Sequence, residues 1–356
     1  MHRSSRQGGF SLLELMVVMG IMMTLMVLIM RYMNDSIKIS TVTNEMTEAQ
    51  QNLRTAQEFI ARDLLATGDG MQDIKSPRLP QTFLNNYLTK APVNDASNVT
   101  LGVLGVLTSD DQVPPTTAVP VPSPSPATTV PVLAFSDRLT IMKMDPTFNG
   151  GAAIPLAPGA VTGNGLTVTL PLGTDMTLFK TGDIYFFASA SGSAFGAVTV
   201  VNAATRVLTL GTVGDLYGIN QPVATGPINL VTSSGTKAAS LMRMLVIHYF
   251  IDSSGLLRRR VFGVGGGVGF TDTVVAEHVA NLQLRYFLGQ SDAGGNVLQP
   301  VTQLTSETQQ AAVRQVEMTV TTETAHAVVN GAKQQISMMG ATSVRNLQFN
   351  THLQPN

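Results

Sequence analysis

Cysteine and tryptophan are both missing from the 356 residues, and only 13% of the chain is Asp, Glu, Lys or Arg. Without cysteine there is no disulfide, no thiol nucleophile and no thiolate for a metal, so any folded part must hold through its own core. The lack of tryptophan removes one stacking residue and settles nothing further. A formal net charge of −1 speaks against a generally basic nucleic-acid binder. Histidine is sparse: His2, His248, His278, His326 and His352 are scattered, and no pair has the spacing of a helix-borne zinc site. No Gly-x-Ser-x-Gly elbow occurs. The glycine-rich run Gly263–Gly269 lacks the Lys-Ser/Thr of a phosphate loop and reads as a flexible connection. Asp69 and Asp73 do not have the spacing of a calcium loop. Arg258-Arg259-Arg260 is too small a cluster for a strong phosphate footprint and is expected on an exposed strand face, paired with acids. These gaps disfavour an enzyme, and no cofactor, metal or small-molecule substrate is expected.

What is present is concentrated at the start. Phe10–Met30 is apolar apart from Glu14 and a few small or hydroxylated residues, and its length is close to the roughly 20 residues that span a hydrocarbon core as a helix. Arg3 and Arg6 precede it with no acid among them, which by the positive-inside tendency keeps this end in the cytoplasm and exports the rest. No small-x-small cleavage pattern follows the run, as a removable secretory signal would require. The Met-rich tone of the span (Met16, Met19, Met22, Met23, Met26, Met30) reads as adaptable packing. Glu14 is the exception, because a charge deep in lipid costs on the order of 2.5–3.5 kcal/mol and is kept for a specific partner.

Arg6-Gln7-Gly8-Gly9-Phe10-Ser11-Leu12-Leu13-Glu14-Leu15-Met16-Val17-Val18 resembles the class III signal of type IV prepilins and type II secretion pseudopilins. The resemblance implies cleavage by a prepilin peptidase after Gly9, N-methylation of the new terminus at Phe10, and retention of the helix. The family's acid at the fifth mature position falls on Glu14. The physical chemistry agrees: cutting before Phe10 would create an α-amine about one helical turn, ~6 Å, from Glu14, and a carboxylate is favoured near a helix N-terminus. Pairing with the amine of its own or a neighbouring subunit would give otherwise featureless apolar helices a defined register.

The helix is expected to continue past the membrane to about Ala66, ~85 Å in all. Met33, Ile37, Val42, Met46, Ala49, Leu53, Ala56, Ile60 and Leu64 recur at mostly three- and four-residue steps, and Thr67-Gly68-Asp69-Gly70 supplies a stop. The β-branched stretch Ile39–Thr43 is a candidate bend or fray. Residues 67–131 read as irregular, with a Pro-rich spacer around Val113–Pro126. From residue 132 the pattern is β. Strands are expected at Val132–Met144, Leu166–Pro171, Asp183–Ala188, Ala197–Val201, Arg206–Leu210, Arg243–Ile251, Leu256–Phe262, Leu282–Leu288, Val313–Thr322 and Ser343–Phe349, with a hairpin turn at Ile251–Leu256. The fold class is therefore α+β: a long N-terminal helix on a large antiparallel head, divided as leader 1–9, helix 10–66, loop region 67–131 and head 132–356. A small β module is expected to be inserted at about 150–235.

Ala56–Gly68, Phe135–Ile141, Tyr249–Asp252 with Gly255–Arg259, Ala276–Tyr286, Val313–Glu317 and Val344–Leu347 together are similar, in that order, to PilW-type minor pilins and to type II secretion pseudopilin J. That resemblance implies a structural subunit of a type IV pilus, at the tip or in initiation. The alternatives are a pseudopilin J-like tip subunit and a pilus-borne adhesin or DNA-uptake subunit. Implied partners are other pilins or pseudopilins through the N-terminal helix, the prepilin peptidase, the inner-membrane assembly platform and the lipid bilayer. The implied location is the bacterial inner membrane with the head in the periplasm, and then the filament.

Overall fold

A computed structural model describes residues 11–71, 78–80, 83–84, 88, 93–95, 98–103, 106–115, 117–120, 129–162, 167–189, 192–215, 217–220, 239–264, 270–289, 299–327 and 332–344. The architecture is α+β, with one long N-terminal helix against a head of antiparallel strands.

Helix α1 (Leu12–Leu65) is continuous over 54 residues, about 81 Å. It passes through Ile39–Thr43 without the expected break. The threonines there return their hydroxyls to the preceding turn, Thr41 to the Ile37 carbonyl and Thr43 to the Ile39 carbonyl, so their polar groups are satisfied within the helix. Residues 11–41 are exposed around the whole circumference. From Val42 onward one face is covered, and Ala49, Leu53, Ala56, Ile60, Asp63 and Leu64 are buried, which is the three- and four-residue rhythm of a helix lying on a core. Met33 and Ile37 belong to that rhythm in sequence but project into solvent, because the head begins below them. The helix ends at Ala66, and Gly68 and Gly70 adopt positive φ. A Cβ on Gly70 would lie 2.8 Å from the Met144 Cβ, so only glycine lets the chain turn back against the sheet there.

Residues 67–131 carry more structure than expected. Strands β1 (Arg78–Pro80), β2 (Val93–Asp95) and β3 (Asn98–Val103) form one small sheet, while β4 (Leu107–Asp110) joins the main one. Strands β5 (Ala118–Pro120) and β6 (Thr129–Pro131) pair with each other. The core of the Pro-rich tract, 121–128, lies outside the described residues. The chain continues through β7 (Arg138–Met144), β8 (Ile154–Leu156), β9 (Val161–Thr162), β10 (Thr167–Thr169), β11 (Ile184–Ser189), β12 (Gly192–Ala197), β13 (Val200–Asn202) and β14 (Val207–Thr209). It ends with β15 (Ala239–Ile251), β16 (Leu257–Phe262), β17 (Phe270–Ala276), β18 (Val279–Leu288), helix α2 (Glu307–Ala312), β19 (Val313–Glu323) and β20 (Gln335–Ser343).

Strand β15 is the spine of an eight-stranded sheet, pairing with β8 and β11 along its first half and with β7 and β16 along its second. From Leu241 to Ile251 every residue is buried, as a strand covered on both faces requires. One apolar cluster joins Leu53, Ile60 and Leu64 of α1 to Ile141, Ile247 and Tyr249 of this sheet and to Val316, Met318 and Val320 of a second sheet, β18-β19-β20. A separate cluster around Phe148, Phe179, Tyr185, Leu208 and Leu241 lies under an open four-stranded sheet, β13-β14-β10-β9. Strands β11 and β12, from the same stretch of sequence, pair into the main sheet instead.

Several expected strands shift. Ala197–Val201 is not one strand: β12 ends at Ala197, where Asn220 Oδ1 accepts its N–H, and β13 starts at Val200. Ser343 closes β20, while 345–349 lie outside the described residues. The turn at Ile251–Leu256 forms, with Asp252 Oδ1 accepting the Ser254 and Leu256 N–H groups. The arginine run is not an exposed face. Arg258 pairs with Asp252, Arg259 with Asp63 and Arg260 with Asp272, and Arg260 is fully buried between the rings of Phe250 and Phe270.

Asp137 joins the two large sheets. Its carboxylate accepts the Gln112 N–H at 2.9 Å and the Leu284 N–H at 2.6 Å, and its own N–H donates to the Leu282 carbonyl. Burial first, and the neighbouring Asp111 in addition, outweigh those two donors and push the carboxyl up to about 7. An acid whose folded pKa lies above its unfolded one contributes stability in full below the unfolded value, and loses it as pH rises through the folded value. Stability is therefore expected to decline between about pH 4 and pH 7 by an amount that Asp137→Asn removes. Urea midpoints of both proteins across that range check it, and parallel slopes would refute it.

Candidate functional site: the N-terminal helix and its seat in the head

Gly9 and Phe10 lie outside the described residues; Glu14 is in the first turn of α1. Ser11 is the N-cap, its hydroxyl accepting the Leu13 N–H at 3.2 Å, and Glu14 Oε2 accepts the Ser11 N–H at 3.1 Å. This is a capping box, in which two N–H groups that the helix cannot satisfy internally are paired by side chains. The reading of the sequence missed this second role of Glu14, although Ser11-x-x-Glu14 carries its signature. The first turn thus has a carboxylate at its surface, already engaged with backbone and accessible from outside.

From Ser11 to Thr41 every residue of the rod is exposed. Twenty large apolar residues from Leu12 to Ile39 are half or more exposed, a surface unfavourable in water and suited to lipid or to other apolar helices. By length and composition α1 is able to cross a membrane.

The head grips the rod at two places. At the upper end of the covered stretch, Glu45 accepts the His326 backbone N–H at 3.2 Å and its Nδ1 at 3.0 Å. The His326 backbone N–H holds the Glu45 carboxyl below its ordinary range. Near the C-terminal end, Asp63 is the hub. Its Oδ2 accepts from Tyr249 Oη at 2.6 Å and Arg259 Nε at 2.6 Å, and its Oδ1 accepts from Lys143 Nζ at 2.8 Å. Tyr249 Oη also reaches the Phe59 carbonyl. Burial pushes the Asp63 carboxyl up, but Arg259, Lys143 and Tyr249 outweigh it and hold the group below the usual range. Burial and the facing Asp63 push the Tyr249 phenol up, keeping it a donor. Three groups from β7, β15 and β16 thereby converge on one helix carboxylate and fix both the rotation and the height of the rod on the sheet. None of these partners was legible in the sequence, since they lie 80, 186 and 196 residues from Asp63.

No group of three or more His, Asp or Glu side chains among the described residues has the geometry to hold a metal. The described residues present a bare apolar rod with a carboxylate near its tip, seated in a large head.

The family model for the prokaryotic N-terminal methylation motif matches residues 4–30. No curated protein matches the chain. The motif supports a type IV pilin-like or pseudopilin-like protein of a structural, non-enzymatic class, anchored in a membrane through the N-terminal helix. It implies in general contacts with other pilins and with the prepilin peptidase.

Proposed function

We propose that this chain is a minor pilin-like subunit of a type IV filament, similar to the PilW type, at a tip or initiating position. The peptidase cuts after Gly9, Phe10 becomes the N-methylated terminus, and the rod waits in the inner membrane with the head in the periplasm. Extraction into the filament exchanges lipid for neighbouring rods, and Glu14 offsets a terminal amine. The observation that carries this reading is the contrast along α1, exposed on every side over residues 11–41 and seated against two sheets beyond Val42. A rod of that kind is stable only when other apolar matter surrounds it. The head, with a second apolar cluster beside the main sheet, is bulky for a crowded repeating lattice and fits an end position, where one side stays open.

Mass spectrometry of the mature protein tests the handling. A chain beginning at N-methylated Phe10 is expected, and an intact Met1 in a peptidase-competent cell would sink the assignment. Deletion tests the filament: loss of surface pili with normal secretion is expected, whereas loss of exoprotein secretion would move the protein to the secretion pseudopilus.

A further inference from the structure

The second sheet, β18-β19-β20, has two edges that are treated differently. Along β18 the edge is closed. The Leu282 carbonyl accepts the Asp137 N–H, the Leu284 N–H donates to the Asp137 carboxylate, and Tyr286 exchanges both backbone hydrogen bonds with Val301. Along β20 no strand among the described residues pairs with the outer side. The register from Gln315↔Ser343 to Glu323↔Gln335 runs without a bulge. Thr324 N–H donates to the Gln334 carbonyl and Val344 N–H to the Arg314 carbonyl, so the even-numbered residues of β20 face β19. Alternation then turns the N–H and C=O groups of Gln335, Ser337, Met339, Ala341 and Ser343 outward. Their side chains are all exposed, Met339 by 65%. Proteins usually guard such an edge with lysine, proline, a bulge or a covering segment. Strand β20 contains no charge and no proline over its whole length.

The rod sets which strand can pair there. Thr322, opposite Ile336, donates its hydroxyl to the Ala49 carbonyl, and Gln57 Nε2 donates to the Met338 carbonyl. As the helix advances from 49 to 57 the strand advances from 336 to 338, so α1 and β20 run in the same general direction. An antiparallel pair of β20 edges from two copies is related by a two-fold axis normal to the sheet, which would point their two anchors in opposite directions. One membrane cannot hold both.

We propose that the outer edge of β20 is a docking site for an extended, uncharged segment from the head of a different pilin-like subunit anchored in the same membrane, which adds to the sheet as a fourth strand. Backbone hydrogen bonds supply the attraction, and the alternating Gln335, Ser337, Met339, Ala341 and Ser343 side chains supply the selectivity. The proposal rests on the reading of the chain as a co-assembling pilin-like subunit.

The test places a photocrosslinking residue at Ala341 of the full-length chain in its own membranes, with and without Met339→Pro. That proline deletes one outward N–H and no bond to β19. The expected result is an adduct with a second protein whose peptides include its own N-terminal methylation motif, re-formed from the two purified proteins in detergent. The adduct is lost in Met339→Pro and retained in Thr319→Lys on the neighbouring strand. Should Met339→Pro melt earlier than the parent, Ala341→Lys with the crosslinker at Ser337 charges the edge and leaves the ladder whole. An adduct indifferent to these edge variants, an adduct only with a second copy of this chain, or no adduct from a folded and processed chain would overturn the docking site. The N-terminal mass of the same sample separates the two levels: no adduct on a chain starting at Phe10 refutes the edge alone, while an unprocessed chain refutes both.

Discussion

Asp63→Ala is expected to cost about 3–5 kcal/mol, the usual penalty for removing one partner of a buried ion pair. The penalty is at the upper end for this protein because Asp63 serves three donors. Its loss leaves Arg259 and Lys143 charged against a covered helix face, with side-chain exposures of only 21% and 13%, and leaves the Tyr249 hydroxyl, which accepts from Arg259 Nε at 3.2 Å, to donate to the Phe59 carbonyl at 3.3 Å. Uncompensated charge there works against seating α1 at all, so the rod should loosen before the sheets do. Urea denaturation of the detergent-solubilised full chain gives the size of the effect, and protease sensitivity near Ala66 gives its location. The exposed neighbour Arg54 serves as control, with Arg54→Ala expected within about 0.5 kcal/mol of the parent. A triple change, Asp63→Leu with Lys143→Met and Arg259→Met, should recover much of the loss, since replacing a buried ion cluster with apolar groups is far cheaper than breaking it. Equal stability of Asp63→Ala and the parent would show that the apolar stripe alone seats the helix.

Glu14 is the second place where one side chain is expected to matter greatly, and the capping box changes how it must be tested. Alanine removes two things together, the bond to the Ser11 N–H and the negative charge. Glutamine separates them, because its carbonyl oxygen still completes a Ser-x-x-Gln capping box while carrying no charge. If Glu14 offsets a terminal amine in a low-dielectric bundle, both Glu14→Ala and Glu14→Gln should leave cleavage and membrane insertion intact yet reduce incorporation about a hundredfold or more, corresponding to about 3–5 kcal/mol per pair. Quantifying the subunit in sheared filaments against the membrane pool measures this. Wild-type incorporation of Glu14→Gln with failure of Glu14→Ala would assign Glu14 to helix capping and remove the charge from the assembly argument.

The sequence was informative where the physics is local. Apolar periodicity foretold α1 to within a residue of its end, because a helix is specified by neighbours three and four apart. The expected strand Val313–Thr322 forms as β19, and the expected turn at Ile251–Leu256 forms as well. Legibility failed where pairing comes from far away. Strand β20 went unseen because Ser337, Gly340 and Ala341 give it no hydrophobic alternation; it exists by adding to β19. Strand β17 hid behind a glycine run. Ala197–Val201 read as one strand because Val198, Thr199, Val200 and Val201 are β-branched, and the break is marked by distant groups, among them the side chain of Asn220, 23 residues on. The arginine run looked like surface because three consecutive charges usually are, and the acids that bury it sit on other elements.

By itself, then, the sequence determined the features on which the proposed handling rests: a motif at residues 4–30, a span of membrane length and an acid near its tip, all of which lie in contiguous chain. Tertiary structure alone decided where the rod stops being bare, which carboxylate locks it to the head, and which sheet edge has no partner strand among the described residues. Those properties depend on groups brought together from as far as 281 residues apart, as in the bond from Gln57 to Met338, and no local pattern encodes contacts at that distance.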